Sequence, residues 1–239
     1  MGNKSHFFRQ SSSGGYNTII GGVGATINTD VLLADKLQIE VNIIQDFEVI
    51  DNDIYCKITS EYFIPDSCFE SNTEITSYID LDGMIYSNEN GKGVGNYAFY
   101  NTINFVEASF PSILYLGFKV FENSAVEVVN CENVNELGYS AFRNADNIES
   151  LSFPYVTVIE STTMADMESL NSVYLPLAKS FNGSGCIRYS KSLEFIELPS
   201  MELTPTDSVQ FANSRTKHIS LPKTKNFRKD NFYNNIYTE

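Results

Sequence analysis

Leu137-Gly138-Tyr139-Ser140-Ala141-Phe142-Arg143-Asn144, continued after Ala145-Asp146 as Asn147-Ile148-Glu149-Ser150-Leu151-Ser152-Phe153-Pro154, is the stretch on which the fold turns, because the chain restates it. Phe142 leads to Leu151, Phe153 and Pro154; Met164 leads to Val173, Leu175 and Pro176; Ile187 leads to Ile196, Leu198 and Pro199. Phe211 leads, one residue sooner, to Ile219, Leu221 and Pro222. The four prolines stand 22, 23 and 23 residues apart, a period that belongs to repeat arrays. Within each unit the pattern apolar-x-apolar-Pro reads as a short strand. Alternation sends Leu151 and Phe153 to one face and Ser150 and Ser152 to the other, and proline, with no N–H for a ladder, closes it. One such unit cannot bury its own apolar stripe, so units must stack.

Working outward, Val94-Gly95-Asn96-Tyr97-Ala98-Phe99 opens a unit whose Phe105, Ala108, Phe110 and Pro111 match Ile148, Leu151, Phe153 and Pro154. A shortened unit runs from Leu116-Gly117 through Phe121 to near Val128, with Asn130 in the place of proline. Ile64 to Phe69, with Ile75 and Ile79, reads as a degenerate first unit, after which Asp80 to Gly95 interrupts the period. Phe227 to Tyr237 reads as a last, partial unit with Phe232 at the anchor position.

This pattern, roughly IGxxAFxNCxxLxxLxLP, resembles the bacterial surface protein A type of leucine-rich repeat. The resemblance covers about three quarters of the chain, from near Ile64 to its end. It implies a curved solenoid that binds other molecules, since the family consists mostly of adhesins and surface-interaction proteins. The expected fold is thus a β-rich leucine-rich-repeat solenoid of period 21–24 with a small α+β N-terminal cap and a flexible tail. The corresponding division is 1–15, 16–60 and 61–239.

In the capping region, Thr29 or Asp30 can cap a short helix through Val31 to Leu37. Phe47 to Ile50 and Ile54 to Ile58 alternate around Asp51-Asn52-Asp53 as a hairpin does. Before it lies a tail, Lys4-Ser5-His6-Phe7-Phe8-Arg9, followed by Gln10-Ser11-Ser12-Ser13-Gly14-Gly15. Its composition is that of a flexible segment. Lys4, His6, Phe7, Phe8 and Arg9 are read as an anchor peptide that orders on binding a larger assembly.

The charge of −14, from 30 acidic and 16 basic side chains, argues against nucleic acid as a partner, since phosphates would be repelled. Arg215, Lys217, Lys223, Lys225, Arg228 and Lys229 run without an intervening acid, so one end is basic. That end is suited to contact the acidic body of a neighbouring copy, giving a homo-oligomer. No apolar run has the length of a signal-peptide core or of a ~20-residue transmembrane span. The expected locations are therefore a virion, or a cell surface reached by an unconventional route, without membrane insertion. Cys56, Cys68, Cys131 and Cys186 make no CxxC pair. They are read as small buried core groups rather than metal ligands.

Catalytic patterns are sparse. His218 is the histidine a Ser–His–acid set would have to use, and no GxSxG elbow accompanies it. Asp80-Leu81-Asp82-Gly83 has the look of a calcium loop, but Gly91 stands where a bidentate glutamate is needed. The expectation is no enzyme, no cofactor and no metal. What remains is surface: Glu107, Ser150, Ser152, Ser172, Tyr174, Phe195, Glu197 and His218 occupy outward strand positions on the expected concave face, where solenoids place recognition residues. The reading that joins these features is a phage virion component. It attaches through its tail to other virion proteins and shows its repeat surface to a host-surface protein or glycan. A bacterial or protist surface adhesin is the second reading, and a hydrolase built on His218 the third.

Overall fold

The structure, a computed structural model, describes residues 30–50, 52–58, 61–81, 85, 93–202, 210–224, 231 and 233–234. The tail Lys4 to Arg9, Thr29 and the Phe232 anchor lie outside them. The chain folds as a β-solenoid of about six turns with almost no helix, as the repeat period predicts. It opens with helix α1 (Asp30–Leu37) and a single 3-10 turn, then β1 (Ile44–Ile50) and β2 (Asp53–Ile58). These two strands pair antiparallel with Ile50 opposite Asp53, which is the predicted hairpin. Thereafter the coils contribute one or two short strands each: β3 (Ser77–Asp80), β4 (Glu107–Ser109), β5 (Tyr115–Leu116), β6 (Val128–Asn130), β7 (Glu136–Leu137), β8 (Ser150–Ser152), β9 (Val158–Glu160), β10 (Ser172–Tyr174), β11 (Ser180–Asn182), β12 (Phe195–Glu197) and β13 (His218–Ser220).

The first strand of each coil stacks in parallel on its neighbours, giving, with the antiparallel hairpin at its edge, one sheet β1-β2-β3-β4-β6 and a second, β8-β10-β12-β13. The other strands form smaller ladders, β5-β7 and β9-β11, on a second column. Register follows the sequence repeat: Leu151 is opposite Val173, Val173 opposite Ile196 and Ile196 opposite Ile219. Two readings of the early coils need correction. Ala108 pairs with Val129 and Ser109 with Asn130, so Glu132, not Asn130, takes the place of proline. Tyr78, not Ile79, pairs with Ala108 and enters the core. A buried phenol needs partners, and the Tyr78 hydroxyl has them in the Tyr62 hydroxyl at 3.0 Å and the Cys56 Sγ at 3.4 Å.

The anchor residues become an axial stack. Phe69, Phe99, Phe121 and Phe142 lie ring over ring, with successive centroids 5.1, 5.6 and 5.5 Å apart, and Met164, Ile187 and Phe211 continue the line fully buried. Around each anchor the backbone makes a tight turn that the sequence does not announce. Ser67 and Ser71, Tyr97 and Asn101, Lys119 and Asn123, Ser140 and Asn144, and Thr162 and Asp166 all have φ between 52° and 59°. Each pair is four residues apart, and Asn, Asp and Ser recur at the second place. Asn and Asp tolerate the left-handed region better than most side chains. In the next coil the pair is Gly185 and Tyr189.

Gly95, Gly117 and Gly138 follow the buried Val94, Leu116 and Leu137, which sit on successive rungs. Their need is for space: a Cβ on Gly138 would lie 2.3 Å from the Phe118 backbone nitrogen, and one on Gly117 2.5 Å from the Gly95 carbonyl carbon. Backbone cannot rotate aside as a side chain can. Gly138→Ala should therefore lower stability by more than the roughly 1–3 kcal/mol of ordinary overpacking, read as a fall in the urea midpoint at unchanged circular dichroism.

All four cysteines are buried and, among the described residues, none forms a disulfide, in keeping with their reading as core groups. Asp80, at the suspected calcium loop, is buried and its carboxylate accepts from the Ile85 N–H. Residues 82–84 lie outside the described set.

Candidate ligand-binding face

Seven of the eight surface residues singled out in the sequence share one sheet. In β8, β10, β12 and β13 the middle residues point inward, leaving two outward columns. Ser150, Ser172, Phe195 and His218 are in register in one, and Ser152, Tyr174, Glu197 and Ser220 in the other. Glu107 holds the equivalent repeat position but belongs to the first sheet, between Ser77 and Val128. The eight positions of the expected face are therefore split between two sheets.

The four-stranded face is mostly hydroxyl-bearing with two large aromatics. Phe195 is 48% exposed and Tyr174 44%, fractions that matter because neither side chain is held by the core. They stand on adjacent strands offset by two residues, which places their Cα atoms about 8 Å apart along the diagonal of a parallel pair. His218 packs its ring 6.3 Å from that of Phe195. Glu197 is exposed beside Tyr174, while Glu194 at the strand entrance is paired with Lys217 at 2.5 Å. Past the strand-closing prolines, Tyr155 and Leu177 are exposed at equivalent positions of neighbouring coils. The sequence reading passed over both. Their signal was position: each directly follows a repeat proline.

The face carries side chains of the kind that recognition surfaces use. Rigid aromatic rings supply contact area at low entropic cost, and serine hydroxyls supply adaptable donors and acceptors. Among the described residues no group of three or more His, Cys, Asp or Glu side chains could hold a metal ion. No helix among them is long and apolar enough to cross a membrane.

Stacked coils, each giving one strand to a common face, define a repeat protein whose role is binding or structural. The chain matches the BspA type Leucine rich repeat region in six copies, over residues 47–125, 63–193 and 116–239. It belongs to that family. No curated protein matches it.

Proposed function

We propose that this chain is a non-enzymatic recognition protein that binds a surface ligand, a host protein or glycan, through the face of β8, β10, β12 and β13. The observation that carries the reading is the pair Tyr174 and Phe195, exposed on adjacent strands amid serines. Neighbouring rungs show that serine is compatible with these positions, since Ser152 and Ser220 stand in the Tyr174 column and Ser150 and Ser172 in the Phe195 column. The double variant Tyr174→Ser/Phe195→Ser should keep its fold, with stability within about 0.5 kcal/mol of the parent per site. On a glycan array and an overlay of envelope proteins it should lose its ligand by at least roughly tenfold, the loss of 1.4 kcal/mol or more expected for an aromatic anchor. Unchanged binding would overturn this assignment.

The finer setting we propose is a phage virion, with Lys4 to Arg9 seated in a groove of a neighbouring virion protein and α1 with the β1–β2 hairpin capping the first coil. A cell-surface adhesin fits the same face equally well. Deleting residues 1–15 separates the settings: the virion reading requires loss of incorporation into particles with ligand binding intact.

A further inference from the structure

A second aromatic stack runs outside the core. Phe118 and Tyr139 lie face to face, with ring centroids 4.9 Å apart and planes 4° from parallel. That spacing matches the distance between paired strands, about 4.8 Å, so the two rings pile along the solenoid axis, one per coil. Tyr97 closes the far side of Phe118 edge-on at 4.9 Å, and the Lys119 ammonium stands 5.7 Å over the Tyr97 ring. On the other side the pile stops. Tyr139 is 45% exposed, and its free face looks along the column toward the next two coils.

The residues met there are small. Ser140 donates to the Ser161 carbonyl at 3.0 Å, just as Lys119 donates to that of Tyr139 at 3.1 Å, so Ser161 occupies the rung after Tyr139. Glu160 pairs with Asn182, which puts Gly183 on the rung after Ser161, and a Cβ on Gly183 would lie 2.7 Å from that of Ser161. The column therefore reads Phe118, Tyr139, Ser161, Gly183: two rings, then two coils with almost no side chain. What remains is a notch walled by a phenol ring and about two rungs, or roughly 10 Å, long. Its rim is polar. Glu160 directly precedes Ser161, and the Asn182 Nδ2 donates to both of its carboxylate oxygens, at 2.8 and 3.0 Å. The carboxylate is thereby drawn toward the Asn182 coil instead of lying over the Tyr139 ring. The Ser161 hydroxyl donates to the Ser184 carbonyl at 3.1 Å and keeps its lone pairs for an incoming donor.

We propose that this notch is a binding site for one pyranose ring of an uncharged glycan. The sugar stacks a face of axial C–H groups on Tyr139, as the next member of the pile, and shares its hydroxyls with Glu160, Asn182 and Ser161. The rim decides between the flat occupants that fit beside a phenol. An aromatic side chain would cover the carboxylate and amide without replacing their water, which costs free energy, whereas a sugar brings donors and acceptors to both. Charge decides between sugars: a carboxylate at the rim of a chain carrying −14 disfavours sialic and uronic acids. The site flanks β7 and β9, on the other strand column from Tyr174 and Phe195, and does not depend on them.

The test is a titration of the full, isotope-labelled chain with lactose, cellotriose and chitotriose, followed by amide shifts and by saturation transfer to the sugar. At least one of them should shift Ser161 and Gly183 and receive saturation chiefly on the C–H groups of one ring face. Trigalacturonic acid should shift neither residue. Tyr139→Ser, which copies the Ser161 of the next rung, should weaken the sugar by at least roughly tenfold. Ser161→Tyr, which extends the pile into the notch, should block it. Tyr174→Ser/Phe195→Ser should leave it unchanged, so failure of this site and failure of the strand-face reading are told apart. No shift with any of the three sugars, shifts confined to other coils, or binding untouched by Tyr139→Ser would each overturn the assignment. So would equal binding of trigalacturonic acid, or tighter binding of N-acetyltyrosinamide than of any sugar, which would make the notch a seat for an aromatic side chain.

Discussion

Phe99→Ala should cost about 3–5 kcal/mol, the range for emptying a fully buried phenylalanine. The Phe99 ring is the junction of the aromatic spine: it lies 4.5 Å from Phe105, 5.1 Å from Phe69, 5.6 Å from Phe121 and 5.9 Å from Phe110. Tyr78 meets it edge-on at 6.4 Å. Rings above and below in a stacked coil cannot collapse into the space without breaking coil-to-coil hydrogen bonds, so the cavity persists. In a linear array the loss falls on the interface between neighbours and weakens their coupling. Urea unfolding should shift to a lower midpoint and separate into two steps, the coils before Phe99 melting first. Phe195→Ala is the matched comparison: the same side chain, half exposed on the strand face, should cost no more than about 0.5 kcal/mol. Equal losses in the two variants would mean that the Phe spine does not hold the coils together.

The second large effect is alkaline. Burial pushes the Cys68 and Cys186 thiols up to about 12 and raises that of Cys131 as well. A thiol in the unfolded chain titrates near 8.5. Because the folded chain holds its proton more tightly, the stabilisation from each thiol is complete below about pH 8.5 and is lost as pH rises toward the folded value. Each group removes about 1.4 kcal/mol per pH unit in that window, so three together remove about 4 kcal/mol per unit. Stabilities of roughly 5–15 kcal/mol do not survive more than a few such units. Burial also raises the Tyr62 and Tyr78 hydroxyls well above their usual value, adding to the decline above about pH 10. Urea midpoints should be level from pH 6 to 8 and fall steeply beyond 9. In Cys68→Ala/Cys131→Ala/Cys186→Ala the fall between pH 9 and 10 should flatten. An unchanged slope would remove the thiols from the account.

The repeat was legible because its determinants are local. Phe142, Leu151, Phe153 and Pro154 recur at nearly fixed spacing, and each coil repeats the same three-dimensional path, so sequence period and structural period coincide. The hairpin around Asn52 was legible for a similar reason, two alternating runs joined by turn residues. Alignment failed where spacing drifts. The short coil after Leu116 moved the proline position from Asn130 to Glu132, and the first coil buried Tyr78 where an apolar reading favoured Ile79, because Tyr62 and Cys56 satisfy the phenol. The outward residues of the candidate face followed from strand alternation alone.

By itself, then, the sequence determined the period, the inward and outward sides of the strands from β8 onward, the burial of the cysteines and the stacked anchors. All of these depend on contacts within one unit or between identical positions of adjacent units. Only the tertiary structure decided which strands of neighbouring coils pair and which do not. That choice rests on the relative path of two backbones some twenty residues apart, which no pattern within one unit encodes, and it divides the strands of the expected face into two sheets between β6 and β8.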